Sequence, residues 1–283
     1  MSIHSLDDIA GRRNGQTVLE RLRWIDDRVQ WTGGFRRHEL MDRFSISAQQ
    51  ASGDIAMYQA LAPGNAALDQ TTKAYRRDPA FSPLFPKDVH GWLLHEAAHG
   101  SGALPIETIR MPVRHLDESV MAAVTSSFAR KTALRITYQS LSSTAPSLRT
   151  ICVHHVVDTG ERLHLRAWDD KRKAFADFVV GRIAEAELNT DYPWVDGVAD
   201  AEWSQFVDVV LGPQEGLSKA QRAAIELEFG MSRGKVAVSV RKALVVYLLA
   251  RLGLLDSVRA GDSGPTHPGI RCLNPSELVP YLP

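Results

Sequence analysis

The chain has 283 residues, 44% hydrophobic and 23% charged, with 33 basic side chains against 33 acidic ones. This is ordinary globular composition, long enough that two or three domains are expected. Zero net charge excludes a polycation that grips nucleic acid by bulk charge, and two cysteines, Cys152 and Cys272, exclude a disulfide scaffold. The opening MSIHSLDDIAGRRNG carries no apolar core of a signal peptide. The longest apolar stretch, Ala243 to Leu255, is broken by Arg251 and falls far short of a membrane span. A cytoplasmic protein without a membrane partner is expected.

Val18, Leu22, Ile25 and Val29 recur at helical spacing and predict a first helix of about three turns, ended by Gly33-Gly34. Leu40, Met41 and Phe44 make the apolar face of a short second helix. A third opens at Ser47-Ala48-Gln49-Gln50. Ser47 is placed to cap it, and Gln50, three residues on, to reach back as a capping box. Ala51, Ile55, Tyr58 and Leu61 form its buried face, and Pro63-Gly64-Asn65 stops it. A short helix, a tight polar turn and a second helix with a polar first turn read as a helix-turn-helix, whose second helix meets base edges. Ser47, Gln49, Gln50 and Ser52 are the candidate DNA-contacting residues of this helix, with Gln49 and Gln50 suited to base reading because glutamine bonds adenine bidentately. Lys73, Arg76 and Arg77 follow in a short basic stretch suited to a wing strand or hairpin, where cations hold phosphates. A solvated helix in an unrelated helical domain would show the same pattern. Gly53 inside the third helix costs it about 1 kcal/mol relative to alanine. Pro79, Pro83 and Pro86 mark the exit.

Two helical pieces follow, separated by Gly100, Gly102 and Pro105. The first contains His95-Glu96-Ala97-Ala98-His99, an HExxH match. Its histidines share a helix face and suit zinc, with Glu96 as general base of a hydrolase. Where a third histidine would complete the longer pattern stands Pro105, leaving Glu107 or Glu118 as substitutes. From Leu134 the period changes to two. LRITYQS, RTICVHHVV, RLHLRAW and FADFVVGRI are four strand-like runs, close enough to form a small barrel. Arg162, His164 and Arg166 alternate onto one face, with Leu163 and Leu165 on the other. Two guanidiniums flanking an imidazole suit a phosphate, while Tyr138 and Ser140 add an aromatic face and a hydroxyl. A merely solvated sheet face would alternate in the same way. His154 and His155 are expected on opposite faces of their strand. The last 80 or so residues hold a helix from Leu217-Ser218, a strand KVAVSVR, and a helix running through Leu255.

The motifs FSISAQQAS, Tyr58, Leu61-Ala62-Pro63 and Lys73-Ala74-Tyr75, then ITYQSLSS, HHVVDTGERLHLRAWD and FADFVVGRI, occur in an order and spacing that resemble the WYL-domain transcription regulators. The likeness is to the BrxR and CapW repressors found beside anti-phage systems, and it covers most of the chain. The resemblance implies an α+β multidomain chain: an N-terminal winged helix-turn-helix (residues 1–87), a helical linker (88–124), an Sm-like β-barrel WYL domain (125–195) and a small α+β C-terminal dimerisation domain (196–283). It implies a homodimer on an inverted-repeat DNA operator, with no cofactor and a pocket sensing a nucleotide or nucleic-acid-like effector. Tyr138, Ser140, His154, Arg162, His164, Arg166 and Arg182 would line that pocket, and Arg166→Ala would then abolish induction while leaving DNA binding intact. Val153 stands where relatives carry proline, Leu163 where they carry tryptophan, and Gly53 where they carry a larger residue.

Overall fold

A computed structural model of the chain describes residues 5–86, 88–99, 104–107, 109, 112, 114–261 and 267–282. It divides into two compact units, residues 1–110 and 111–283.

In the first unit, α1 (Leu6–Ala10) is a short helix without a sequence expectation, closed by a capping box between Ser5 and Asp8. α2 (Gly15–Thr32) is longer than the predicted three turns, at 18 residues, and ends at Gly33 in the left-handed conformation. Gly34 then starts a strand that was not predicted, β1 (Gly34–Arg36). A Cβ at Gly34 would lie 2.1 Å from the Tyr75 carbonyl oxygen, so only glycine lets the chain lie this close to its neighbour. α3 (Arg37–Phe44) and α4 (Ala48–Leu61) form the helix-turn-helix, with Ser45 in the left-handed region at the turn. β2 (Ala66–Asp69) and β3 (Ala74–Arg77) form a hairpin, and the sheet order is β1-β3-β2. Ala51, Ile55 and Tyr58 of α4 bury their side chains against Leu22, Ile25 and Leu40. Each large apolar side chain so buried contributes about 1.5–3 kcal/mol. α5 (Val89–His99) completes this unit, and Trp92 stacks on Trp31 at 5.0 Å. Gly100 and Gly102, expected to separate two helices, lie outside the described residues.

In the second unit, α6 (Glu118–Arg130) is capped by Asp117, whose carboxylate accepts from the Ser119 and Val120 amides. Five strands follow: β4 (Ala133–Tyr138), β5 (Ser147–Asp158), β6 (Leu163–Asp169), β7 (Ala174–Val179) and β8 (Ile183–Asn189). The sheet is antiparallel with order β7-β6-β5-β4-β8. The expected closed barrel is therefore corrected to an open sheet. β7 and β8 are its two edges and do not pair; a single 3-10 turn, Val180–Arg182, joins them. Bulges at Thr137/Tyr138 and Val153/His155 bend the sheet. It curls far enough for β4 to meet β7 across the core: the Tyr138 ring packs edge-on to Phe178 at 5.1 Å, and the Val179 amide donates to the Tyr138 hydroxyl at 3.3 Å. Val120 and Val124 of α6 fill the concave side.

A connecting turn, α7 (Ala201–Ser204), leads to β9 (Phe206–Pro213), α8 (Lys219–Glu228), β10 (Val236–Arg241), α9 (Val245–Arg251), α10 (Leu255–Arg259), β11 (Ile270–Cys272) and α11 (Pro275–Leu278). The sheet order is β10-β9-β11, with α9 and α10 packed on it through Val245, Leu249, Leu254 and Val258. The single helix expected through Leu255 is two helices. Gly253, with φ at 67°, makes the break.

Candidate functional site

The exposed face of α4 is set from beneath. Ser47 caps the helix by accepting from the Gln50 amide at 3.1 Å, as predicted. Gln50 does not close the capping box. Its side-chain amide donates instead to Asp54 Oδ1 at 3.1 Å, one helical turn on. Asp54 is fully buried and receives two bonds from Arg21 of α2, at 2.6 and 3.2 Å. Arg21, Asp54 and Gln50 thus form a chain from the core to the surface, and the Asp54 carboxylate draws the Gln50 side chain away from the Ser47 amide, which would have donated to it. Gln49 is exposed. Ser52 donates to the Ala48 carbonyl at 2.9 Å and accepts from Arg37 of α3 at 3.1 Å, an inter-helix tie without a sequence signal. Tyr58, on the opposite face, donates to the buried Asp26 at 2.6 Å and accepts from Asn65 at 3.1 Å. Asp26 also accepts from the Leu84 and Phe85 amides, so it ties the exit segment to α4.

In the hairpin, Asp69 orders the turn. The Thr72 hydroxyl, then the Thr71 and Thr72 amides, hold its carboxyl below the usual range. Lys73 occupies the left-handed position, its ammonium 3.2 Å from Gln70 Oε1. Arg76 is exposed. Arg77 lies against the sheet base, donating to the Gln30 carbonyl at 3.2 Å and covering Phe81 at 4.8 Å. These cations and the α4 face belong to one unit, on neighbouring elements.

The seven residues expected to line one pocket are dispersed in the second unit. Tyr138 is in the core, and Ser140 sits in the turn after β4, bonded to Ser142. Arg166 is buried on three carboxylates: two bonds to Asp200 at 2.6 and 3.1 Å, one to Glu202 at 3.0 Å and one to Asp177 at 3.4 Å. Burial alone would lower its guanidinium; the Asp200 bonds, with Asp177 and Glu202 beside it, outweigh burial and hold it firmly charged. Asp177 in turn accepts from the Tyr247 hydroxyl at 2.8 Å, linking β7 to α9. His164 is buried with its ring 4.8 Å from Tyr247, and burial pushes its imidazole down.

His154 lies 3.3 Å from Asp200 and its Nδ1 is 2.7 Å from Nδ1 of His155. The two were expected on opposite faces; the β5 bulge breaks the alternation and turns the rings together. Burial, and then the neighbouring His155, push His154 down to about 4, so its ring is neutral at pH 7. His154 and His155 line a cavity of about 570 Å³ with Trp203 and Arg241.

Arg162 and Arg182 meet in a different cavity, of about 550 Å³. They come from the turns after β5 and β7, and Arg114 and His115 of the segment before α6 join them. Those two residues were missed because an irregular segment carries no periodic signal.

His95 and Glu96 of the HExxH match lie on α5, with Glu96 buried. The side chain of His99 lies outside the described residues. Among the described residues no three His, Cys, Asp or Glu side chains cluster to hold a metal ion, and no helix is long and apolar enough to cross a membrane.

A helix-turn-helix with a hairpin wing, in a chain that continues into a bent sheet and a small α+β module, defines a winged-helix regulator. Three family descriptions match in chain order: the BrxR transcriptional regulator winged helix-turn-helix domain at residues 17–95, the WYL domain at 119–188 and the BrxR transcriptional regulator C-terminal dimerization domain at 206–278. The DNA-binding transcriptional repressor CapW of Escherichia coli (strain KTE188) is 33% identical over 265 residues, spanning 89% of this chain and 88% of the relative. CapW of Pseudomonas aeruginosa is 34% identical over 257 residues, spanning 86% and 85%. A solved structure of proteasome accessory factor B/C of Arthrobacter aurescens aligns with 98% of this chain and 47% of its own, at 15% identity and a TM-score of 0.29. The chain belongs to the BrxR/CapW family of WYL-domain, DNA-binding transcriptional repressors. Those relatives are named repressors, which accords with a regulator and not an enzyme.

Proposed function

We propose that this repressor binds an inverted-repeat operator as a homodimer and releases it when an anionic, nucleotide-like effector enters the second unit. In this reading residues 1–87 bind DNA, 88–124 connect, 125–195 sense and 196–283 dimerise. The carrying observation is the exposed first turn of α4, where Gln50 is aimed from below by the buried Asp54 and Gln49 stands free beside it. Such a preset amide suits bidentate contact with adenine, while Lys73, Arg76 and Arg77 hold phosphates. A dimer is supported by the C-terminal family match and by α8, which buries none of its residues and leaves Leu227 85% exposed. The effector role is supported by the Arg162 and Arg182 cavity, since paired guanidiniums favour phosphate. Control of an anti-phage defence operon is part of the same proposal and is supported by the family resemblance.

The test is binding to DNA from upstream of the protein's own operon, against scrambled DNA, over a salt series. Replacing Gln49 and Gln50 together by alanine is expected to remove about 1–3 kcal/mol of discrimination per lost bidentate contact, leaving a salt-sensitive background. Unchanged selectivity would refute this placement of the helix.

Gly53 offers a second check. A Cβ there meets nothing within 4 Å, so packing in the free protein does not require glycine. Gly53→Ala is expected to raise stability by up to about 1 kcal/mol in thermal melts and to weaken operator binding, because the added methyl stands on the DNA-facing side. Higher stability with full affinity would show that DNA does not approach this backbone.

A further inference from the structure

The segment before α6 is seated on both turns that carry the cavity's arginines. Arg114 Nε donates to the Glu161 carbonyl at 2.9 Å, in the turn that holds Arg162. At the other turn, next to Arg182, a Cβ on Gly181 would lie 2.9 Å from the His115 carbonyl oxygen, closer than real side chains approach. These are independent contacts, one a hydrogen bond and one a close backbone approach. They place Arg114 and His115 in the lining beside Arg162 and Arg182. The one carboxylate among the described lining residues, Glu161, is turned to Arg162 at 3.2 Å and is 65% exposed. Leu163 and Val179 line the same cavity and give it an apolar wall. Three guanidiniums and an imidazole around such a space fit a compound with at least two phosphate charges and a nonpolar or planar body.

We propose that Arg114 and His115 are effector ligands, and that a phosphorylated effector clamps the linker onto the two turns, so that linker position is the signal. The proposal rests on the reading that the Arg162 and Arg182 cavity takes an anion. The physical basis is differential affinity. An anion meets the three guanidiniums and the imidazole together only when the linker is seated, so its binding favours that conformer by the ratio of the two affinities. In the sequence this segment connects residues 1–87 to the cavity, which is why its position is read as the signal.

The experiment uses the full-length protein with pyrophosphate as probe, titrated by calorimetry, together with tryptic cleavage after Arg114. Wild type is expected to bind, and pyrophosphate to slow cleavage at least about five-fold. Arg182→Ala is expected to lose about ten-fold in affinity or more, and Arg114→Ala with His115→Ala about three- to ten-fold. Gly181→Val keeps all three arginines and His115 but pushes the linker away, and is expected to match that double variant and lose the cleavage protection. Arg114→Lys, which restores charge without the forked donors, should recover part of the loss, as a merely unfolded variant would not. If the double variant and Gly181→Val bind as wild type while Arg182→Ala is impaired, the linker has no part and the effector reading stands alone. If wild type does not bind, or Arg182→Ala binds equally, the effector reading itself fails.

Discussion

Replacing Arg166 by alanine is expected to weaken the second unit by about 3–5 kcal/mol, because removing one partner of a buried ion pair strands the other charge. Asp200 is 2% exposed and would lose both its charge-assisted bonds from Arg166, and Asp177 and Glu202 would lose one each. Asp200 ionises more readily than usual in the native chain: burial raises its carboxyl, but the Arg166 bonds more than reverse that. Without the guanidinium the burial penalty is opposed only by the Trp203 amide, which donates to Asp200 Oδ1 at 3.2 Å, and by the neighbouring His154. For a unit of this size the loss corresponds to roughly 10 °C in melting temperature. Arg166→Lys should recover only part, since an ammonium cannot reproduce the forked geometry. Urea melts of the three proteins check this, and a change below about 1 kcal/mol would show that the carboxylates relax into solvent. The variant expected from sequence to abolish induction cleanly is therefore a stability variant first. Arg182, whose side chain makes no ion pair among the described residues, is the cleaner probe of sensing.

Asp54→Ala is expected to cost the first unit a similar 3–5 kcal/mol and to blunt operator selectivity in the same step. Arg21 would be left 8% exposed without its carboxylate, and Gln50 would lose the acceptor that aims its amide. Two readouts separate the effects. A melt reports the ion pair. Operator titration well below the melting temperature reports the glutamine, and there selectivity should fall while the salt-dependent background stays. Asp54→Asn keeps an acceptor for Gln50 but removes the charge facing Arg21, so it should lose stability yet keep more of the selectivity. Equal selectivity in all three proteins would show that Gln50 reads DNA, if at all, without help from the core.

Much of the architecture was readable from local pattern. The apolar spacings at Leu22, Ile25 and Val29 and at Ala51, Ile55 and Tyr58 define the helices that build the first core, because a helix must bury one stripe. Ser47 before α4 caps as expected, and Ser218, where the α8 helix was expected to begin, caps it. The period-two runs became β4 to β7. The family motifs sit within these same segments, which is why the resemblance agrees with the family matches.

What local pattern did not reveal were partners distant along the chain. Alternation placed Arg162, His164 and Arg166 on one strand face, but strand periodicity says nothing of what covers that face. Asp200, 34 residues beyond Arg166, and Tyr247, which bonds Asp177 from 70 residues away, decide that Arg166 is structural. Gln50 chose between accepting from the Ser47 amide and donating to Asp54, and a buried Asp54 charged against Arg21 of another helix settled it. The bulge at His154 overrode simple alternation, and curling without closure turned an expected barrel into an open sheet. By itself the sequence determined the longer helices and the strands β4 to β7, their order and the family, since helix stripes, caps and strand alternation are short-range consequences of backbone geometry, but not α1, β1 or the break at Gly253. Only the tertiary structure decided which charges neutralise each other and which remain facing a cavity. That outcome depends on distances between segments far apart in the chain, and on the cost of leaving a buried charge unpaired.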